Sequence, residues 1–134
     1  MTHAAAILDS HPAHVTITHR DLVACIDACF DCAQACTGCA DACLAEDSVA
    51  HLRTCIRTNL DCADVCDATG RILSRHAGAD TDLARAALQA CITACQTCGE
   101  ECERHAGMHE HCRVCAEACR ACEQACRALL DNVG

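Results

Sequence analysis

All eighteen cysteines of this 134-residue chain fall at steps of three, four or seven within four runs. The first run carries Cys25, Cys29, Cys32, Cys36, Cys39 and Cys43. The second is sparser, with Cys55, Cys62 and Cys66, and Asn59 fills the slot that a complete pattern would give to cysteine. The third carries Cys91, Cys95, Cys98 and Cys102, and the fourth Cys112, Cys115, Cys119, Cys122 and Cys126. Alternating steps of three and four return to one face of an α-helix, the a and d positions of a heptad that face a bundle interior. A half-buried strand would need period two, which is scarce here, and alanine dominates between the cysteines.

The pattern predicts an all-α fold, an up-down-up-down four-helix bundle with a cysteine-lined core. The helices are expected over Thr18 to Ala45, Leu52 to His76, Thr81 to His105 and Met108 to Asp131. Thr18 and Asp21 resemble a capping box, Ser48 is placed to cap the second helix, and Gly78-Ala79-Asp80 leads into the third. Residues 18–134 form the bundle domain in this reading. Residues 1–17, which hold the single proline, Pro12, form a loosely packed arm with at most a helical turn.

Composition decides what such a core can do. The hydrophobic fraction is 52%, yet the only aromatic residue is Phe30, and cysteine and alanine make up much of the remainder. A core of such small side chains buries little carbon, so bound metal is the expected source of additional stability. The net charge of −9, without any basic run, argues against nucleic acid. No apolar stretch is read as spanning a membrane, and the segment MTHAAAILDSHPAHVTITHRD lacks the basic and apolar regions of a signal peptide. The expectation is a cytoplasmic protein, where thiols stay reduced and dense cysteine points to metal before disulfides.

One or two cysteines on a helix stripe would be ordinary small core residues. An entire stripe is different, because leucine or alanine would pack as well without the reactivity. Disulfides suit it poorly, since i, i+4 pairs on one helix are badly placed for a strain-free bridge. Those same pairs can grip a metal ion between them. Eight CxxxC pairs are present: 25/29, 32/36, 39/43, 62/66, 91/95, 98/102, 115/119 and 122/126. Two-coordinate thiolate ligation suits Cu(I), a soft ion selected by soft ligands. Cys55 and Cys112 lack an i+4 partner and are placed to add third ligands across the bundle. Zinc or cadmium on four-cysteine sites between helices is the competing reading. Iron–sulfur ligation is disfavoured because its cysteine runs wrap loops around a cluster.

The two ends of the stripe differ. At one end it continues into Leu22, Leu73, Leu88 and Leu129, with Val133 beyond, and reads as plugged; His76 at this end reads as surface. At the other end it continues into His105 and Met108, with His111, His109 and His51 nearby. Imidazole and thioether hold Cu(I) more loosely than thiolate, which suits a port of admission, with His105, Met108 and His111 as its candidate ligands.

The helical layout, cysteine-lined interior, CxxxC pairs and His/Met end resemble the bacterial copper storage proteins, over about residues 18–131. The resemblance is to their cytosolic branch. It implies many Cu(I) ions per bundle, loading through the His/Met mouth, and a homotetramer. The expected capacity runs from eight ions, one per CxxxC pair, to about eighteen if thiolates bridge. No catalysis is expected. The rival from another class is a thiol redox or peroxide-scavenging protein, which needs an exposed cysteine of low pKa.

Overall fold

The computed structural model describes residues 2–15 and 17–133. Among the described residues the regular structure is helical throughout. It comprises α1 (Ala4–Ser10), α2 (His19–Leu44), α3 (Arg53–Leu73), α4 (Thr81–His105) and α5 (Glu110–Leu130), with a short 3-10 turn at Val49–Leu52.

Local chemistry sets the helix limits. α4 covers the expected span because Asp80 accepts a hydrogen bond from the Leu83 N–H at 3.0 Å, capping the first turn. Gly78 supplies the reversal before it with a φ of +61°, a left-handed conformation that glycine adopts without a Cβ penalty. At α2 the Thr18 side chain makes no capping bond; its carbonyl accepts from Leu22 N–H at 3.0 Å, and Asp21 in the first turn complements the dipole. α3 begins at Arg53, after the 3-10 turn, and the Ser48 side chain caps nothing. It ends at Leu73, short of His76, where the Ser74 hydroxyl donates to the Gly70 carbonyl at 2.7 Å and closes the last turn. α5 starts at Glu110, after a tight turn in which Met108 and His109 N–H groups both bond the His105 carbonyl.

The four long helices pack in a closed ring: α2 lies against α3 and α5, and α4 lies against the same two. The stripe inside the ring is sulfur, and no cysteine exceeds 2% exposure. Leu22, Leu73, Leu88, Leu129 and Val133 are buried with it. Leu52, which the sequence pattern did not single out, is also buried, supplied by the 3-10 turn.

Two expectations are corrected. The arm is not loosely packed: α1 lies on α2, Leu8 is buried in the same core cluster as Leu22 and Ile26, and Thr2 donates to Asp27. His76 is not on the surface; it is 9% exposed, with the His11 ring edge-on at 5.2 Å. Leu8 docks the arm on the bundle, and His11 from the same arm stands against His76. The reading of membrane-spanning potential also changes. α2 is long and apolar enough by composition to span a bilayer, but its six cysteines, Leu22 and Ile26 are packed inside the ring.

Candidate metal centre

Small side chains let the four helices approach closely, so the thiols meet across helices as much as along them. In-helix contacts occur at Cys32/Cys36 (3.8 Å), Cys62/Cys66 (3.7 Å) and Cys98/Cys102 (3.9 Å). Cross-helix contacts are as close: Cys25–Cys126 and Cys36–Cys115 at 3.6 Å, Cys66–Cys91 at 3.7 Å and Cys55–Cys102 at 3.8 Å. Sequence spacing reports one helix at a time and cannot register these pairs.

The thiols gather into compact groups whose ligand atoms lie within 4.8 Å of one another. One holds Cys29, Cys91, Cys122 and Cys126; another Cys32, Cys66, Cys95 and Cys122. A third holds Cys32, Cys36, Cys62 and Cys119, and a fourth Cys36, Cys98, Cys115 and Cys119. Cys32, Cys36, Cys119 and Cys122 each belong to two groups, so these four groups form one connected network. Taking about 2.3 Å as a d10 metal–thiolate length, two thiolates on one ion stand about 4.0 Å apart in three-fold ligation and about 4.6 Å apart in linear ligation. Contacts of 3.6 to 4.0 Å thus need only small adjustments to share ions.

Asn59 sits inside this network with 0% exposure. Its Oδ1 accepts from Cys98 at 3.0 Å, Cys115 at 3.2 Å and Cys102 at 3.3 Å, and its Nδ2 donates to Cys55 at 3.7 Å. The sequence pattern presents it as a missing cysteine. It is a hydrogen-bond acceptor facing three thiols, and the signal was a polar amide on a stripe of sulfur.

Crowding sets the proton balance. Neighbouring S–H donors at Cys126 and Cys29 hold the Cys25 thiol down to about 5, while burial, then the charge of Cys39, pushes Cys43 up to about 11. Burial likewise raises Cys112. A thiolate is stabilised where neighbours donate to it, and those neighbours keep their protons. Metal binding must displace them.

At the other end, Cys39, Cys43, Cys112 and His111 form a mixed group. His111 Nδ1 lies 3.5 Å from Cys39 Sγ and 3.6 Å from Cys112 Sγ. Its Nε2 bonds Glu46 at 2.8 Å, and His109 Nδ1 bonds the same carboxylate oxygen at 2.8 Å. The two rings stack with centroids 5.3 Å apart. Burial disfavours the His111 cation, but the bonds to Cys39 and Glu46 outweigh it and raise the pKa. Hydrogen bonding to His111 in turn holds Glu46 below the usual carboxylate range.

His105 is placed differently. Its Nε2 bonds the largely buried Glu101 at 2.8 Å, and Arg104 pairs with the other oxygen at 2.7 Å. Met108 lies on the α4–α5 turn and is 80% exposed, and His51 is exposed on the 3-10 turn. The structure therefore brings His111 to the thiols, ties His105 to a carboxylate beside Cys102, and leaves Met108 at the rim.

The family profile of copper storage proteins matches residues 18–131. The chain belongs to the copper storage protein family. A structure of the family member from Streptomyces lividans, loaded with 10 copper equivalents, is 58% identical with a TM-score of 0.95, covering 96% of this chain and 98% of that one. Another, the cytosolic copper storage protein from the same organism with five coppers, is 64% identical with a TM-score of 0.84, covering 86% and 96%. An uncharacterized cysteine-rich protein of Bacillus subtilis, YhjQ, is 38% identical over 95 residues, covering 71% of this chain and 82% of that protein. The profile spans the four long helices and leaves out α1.

Proposed function

We propose that this chain stores many Cu(I) ions on its core thiolates in the cytoplasm, admitting them at the end that carries His111. The carrying observation is that all eighteen thiols are free and buried, and that single sulfurs among them belong to more than one four-ligand group. Shared sulfurs favour bridging thiolates, the ligation that lets a soft ion approach one per thiol. The Streptomyces lividans relative, carrying five coppers in one structure and 10 equivalents in another, supports the same reading, and its cytosolic description supports the compartment.

The finer reading is an up-down-up-down bundle over residues 18–134, with residues 1–17 as its arm. The closed ring of helix neighbours and the short connections support it. The eighteen cysteines are the ligands, with His111, His105 and Met108 serving admission at the mouth. Asn59 adds a hydrogen-bond acceptor to the thiols of Cys98, Cys102 and Cys115. A homotetramer is proposed from the family resemblance, and sedimentation or light scattering of the copper-loaded protein tests it. The protein acts as a store and not as an enzyme: its thiols are ligands, and a redox or peroxide-scavenging role would need an accessible cysteine.

Anaerobic loading of reduced protein with Cu(I) in excess Zn(II) tests metal and mouth together. Copper retention against zinc, with slowed uptake in His111→Ala, supports the reading. Zinc displacing copper, or wild-type uptake in His111→Ala, contradicts the metal or the mouth respectively.

A further inference from the structure

We infer that Glu46 is the positioning residue of the mouth, fixing the tautomer of His111 so that its Nδ1 lone pair faces the thiols of Cys39 and Cys112. This inference rests on the copper-storage reading and gives a task to a carboxylate that reading leaves unassigned.

Glu46 lies just beyond the end of α2, and its Oε2 is 2.8 Å from His111 Nε2. An ionised carboxylate accepts hydrogen bonds and donates none, so the proton on that contact belongs to Nε2. Once the imidazolium has given up its second proton, the neutral ring carries one N–H, held on Nε2 by the carboxylate, which leaves Nδ1 as the bare nitrogen. That nitrogen is 3.5 Å from Cys39 Sγ and 3.6 Å from Cys112 Sγ, within the four-ligand group that Cys43 completes. With no acceptor behind it, an imidazole beside sulfur would turn its proton inward as Nδ1–H···S and have no lone pair for an arriving ion. A carboxylate behind a metal-binding histidine also raises the basicity of the ligating nitrogen.

The carboxylate is itself held. His109 Nδ1 bonds the same Oε2 at 2.8 Å, and the two imidazoles stack at 5.3 Å with an interplanar angle of 20°. Glu46 therefore joins the start of α5 to the end of α2 through one oxygen. The pairing spans 65 positions of sequence, so neither residue signals it alone.

The test uses reduced, metal-free protein labelled with 15N at histidine, with ring-nitrogen NMR for the tautomer and stopped-flow uptake of the first Cu(I) equivalent. Glu46→Gln keeps the size but replaces an acceptor-only group with one that also donates. The expected result is His111 with Nε2–H in the wild type and a populated Nδ1–H form in Glu46→Gln. First-ion uptake in that variant is expected to slow about 10-fold, the scale at which groups behind a metal ligand act. Glu46→Ala gives the same readouts if the glutamine variant fails to fold. An unchanged tautomer, or a changed tautomer with wild-type uptake, overturns the inference. His111→Ala separates the two levels. Wild-type uptake there contradicts the mouth itself, whereas slow uptake there with wild-type uptake in the Glu46 variants overturns the role of Glu46 alone.

Discussion

The Oδ1 of Asn59 accepts a hydrogen bond from the Sγ of Cys98 at 3.0 Å, an amide oxygen set among buried thiols. Cys102 and Cys115 donate to the same atom, so one side chain organises three thiols from two helices. Replacing Asn59 with alanine removes that acceptor and opens a void. The apo protein is expected to lose about 1–3 kcal/mol, read by denaturant unfolding under reducing conditions. Unchanged stability would mean the amide organises nothing before metal arrives.

Copper should make up for the thin carbon core. Each tightly held ion binds the folded chain in preference to the unfolded one, adding about 2.7 kcal/mol at a free concentration one hundred times its dissociation constant. With several sites filled, the melting temperature should rise steeply with each copper equivalent. Equal melting of apo and loaded protein would contradict a core supported by metal.

His76 gives the apo protein a pH dependence remote from the mouth. Burial, then the charges of His11 and His19, disfavours its cation and lowers its pKa on folding. The stabilisation of the neutral form is complete above the unfolded value of about 6.5 and is lost as pH falls through the lower folded value. The apo protein should therefore become less stable on acidification below about pH 6.5, and His76→Asn should flatten that slope. Chemical unfolding of both proteins at a series of pH values measures it. Parallel slopes would show that His76 is not the group responsible.

Two glycines inside helices should respond in opposite ways. At Gly38, on the exposed face of α2, an added Cβ meets only Gln34 Nε2 at 3.7 Å. Gly38→Ala should stabilise by about 0.5–1 kcal/mol through helix propensity. At Gly70 the same Cβ would stand 3.0 Å from the ring of Phe30, the chain's one aromatic residue. Gly70→Ala should lose that gain to the displaced ring. Thermal unfolding of the two variants compares them directly, and an equal gain at both positions would contradict the packing of Phe30 on Gly70.

Much of this architecture was legible along the chain because one helix face was written in cysteine. Asp80 and Gly78 marked the start of α4, and Leu22, Leu73, Leu88 and Leu129 marked the closed end, because a heptad stripe and a cap are local features. What was not legible depends on separate segments meeting. The thiol contacts between Cys25 and Cys126 span 101 positions, and the Glu46–His111 pair spans 65. Spacing within a helix predicted paired ligands, whereas packing between helices produced shared groups. The arm misled for a related reason. A single leucine in a short segment says little, yet Leu8 is buried in the core cluster with Ile26, and His11 of the same arm stands against His76.

The most direct test of the account is the number of Cu(I) ions held per chain against a high-affinity chelator, measured anaerobically on the reduced protein and checked by metal analysis. Linked thiol groups predict a count above the eight CxxxC pairs, rising toward one per cysteine, with proton release on loading and weaker retention at low pH. Saturation at about four ions or fewer, one for each isolated four-thiolate site, would contradict a connected store and point to separate metal centres.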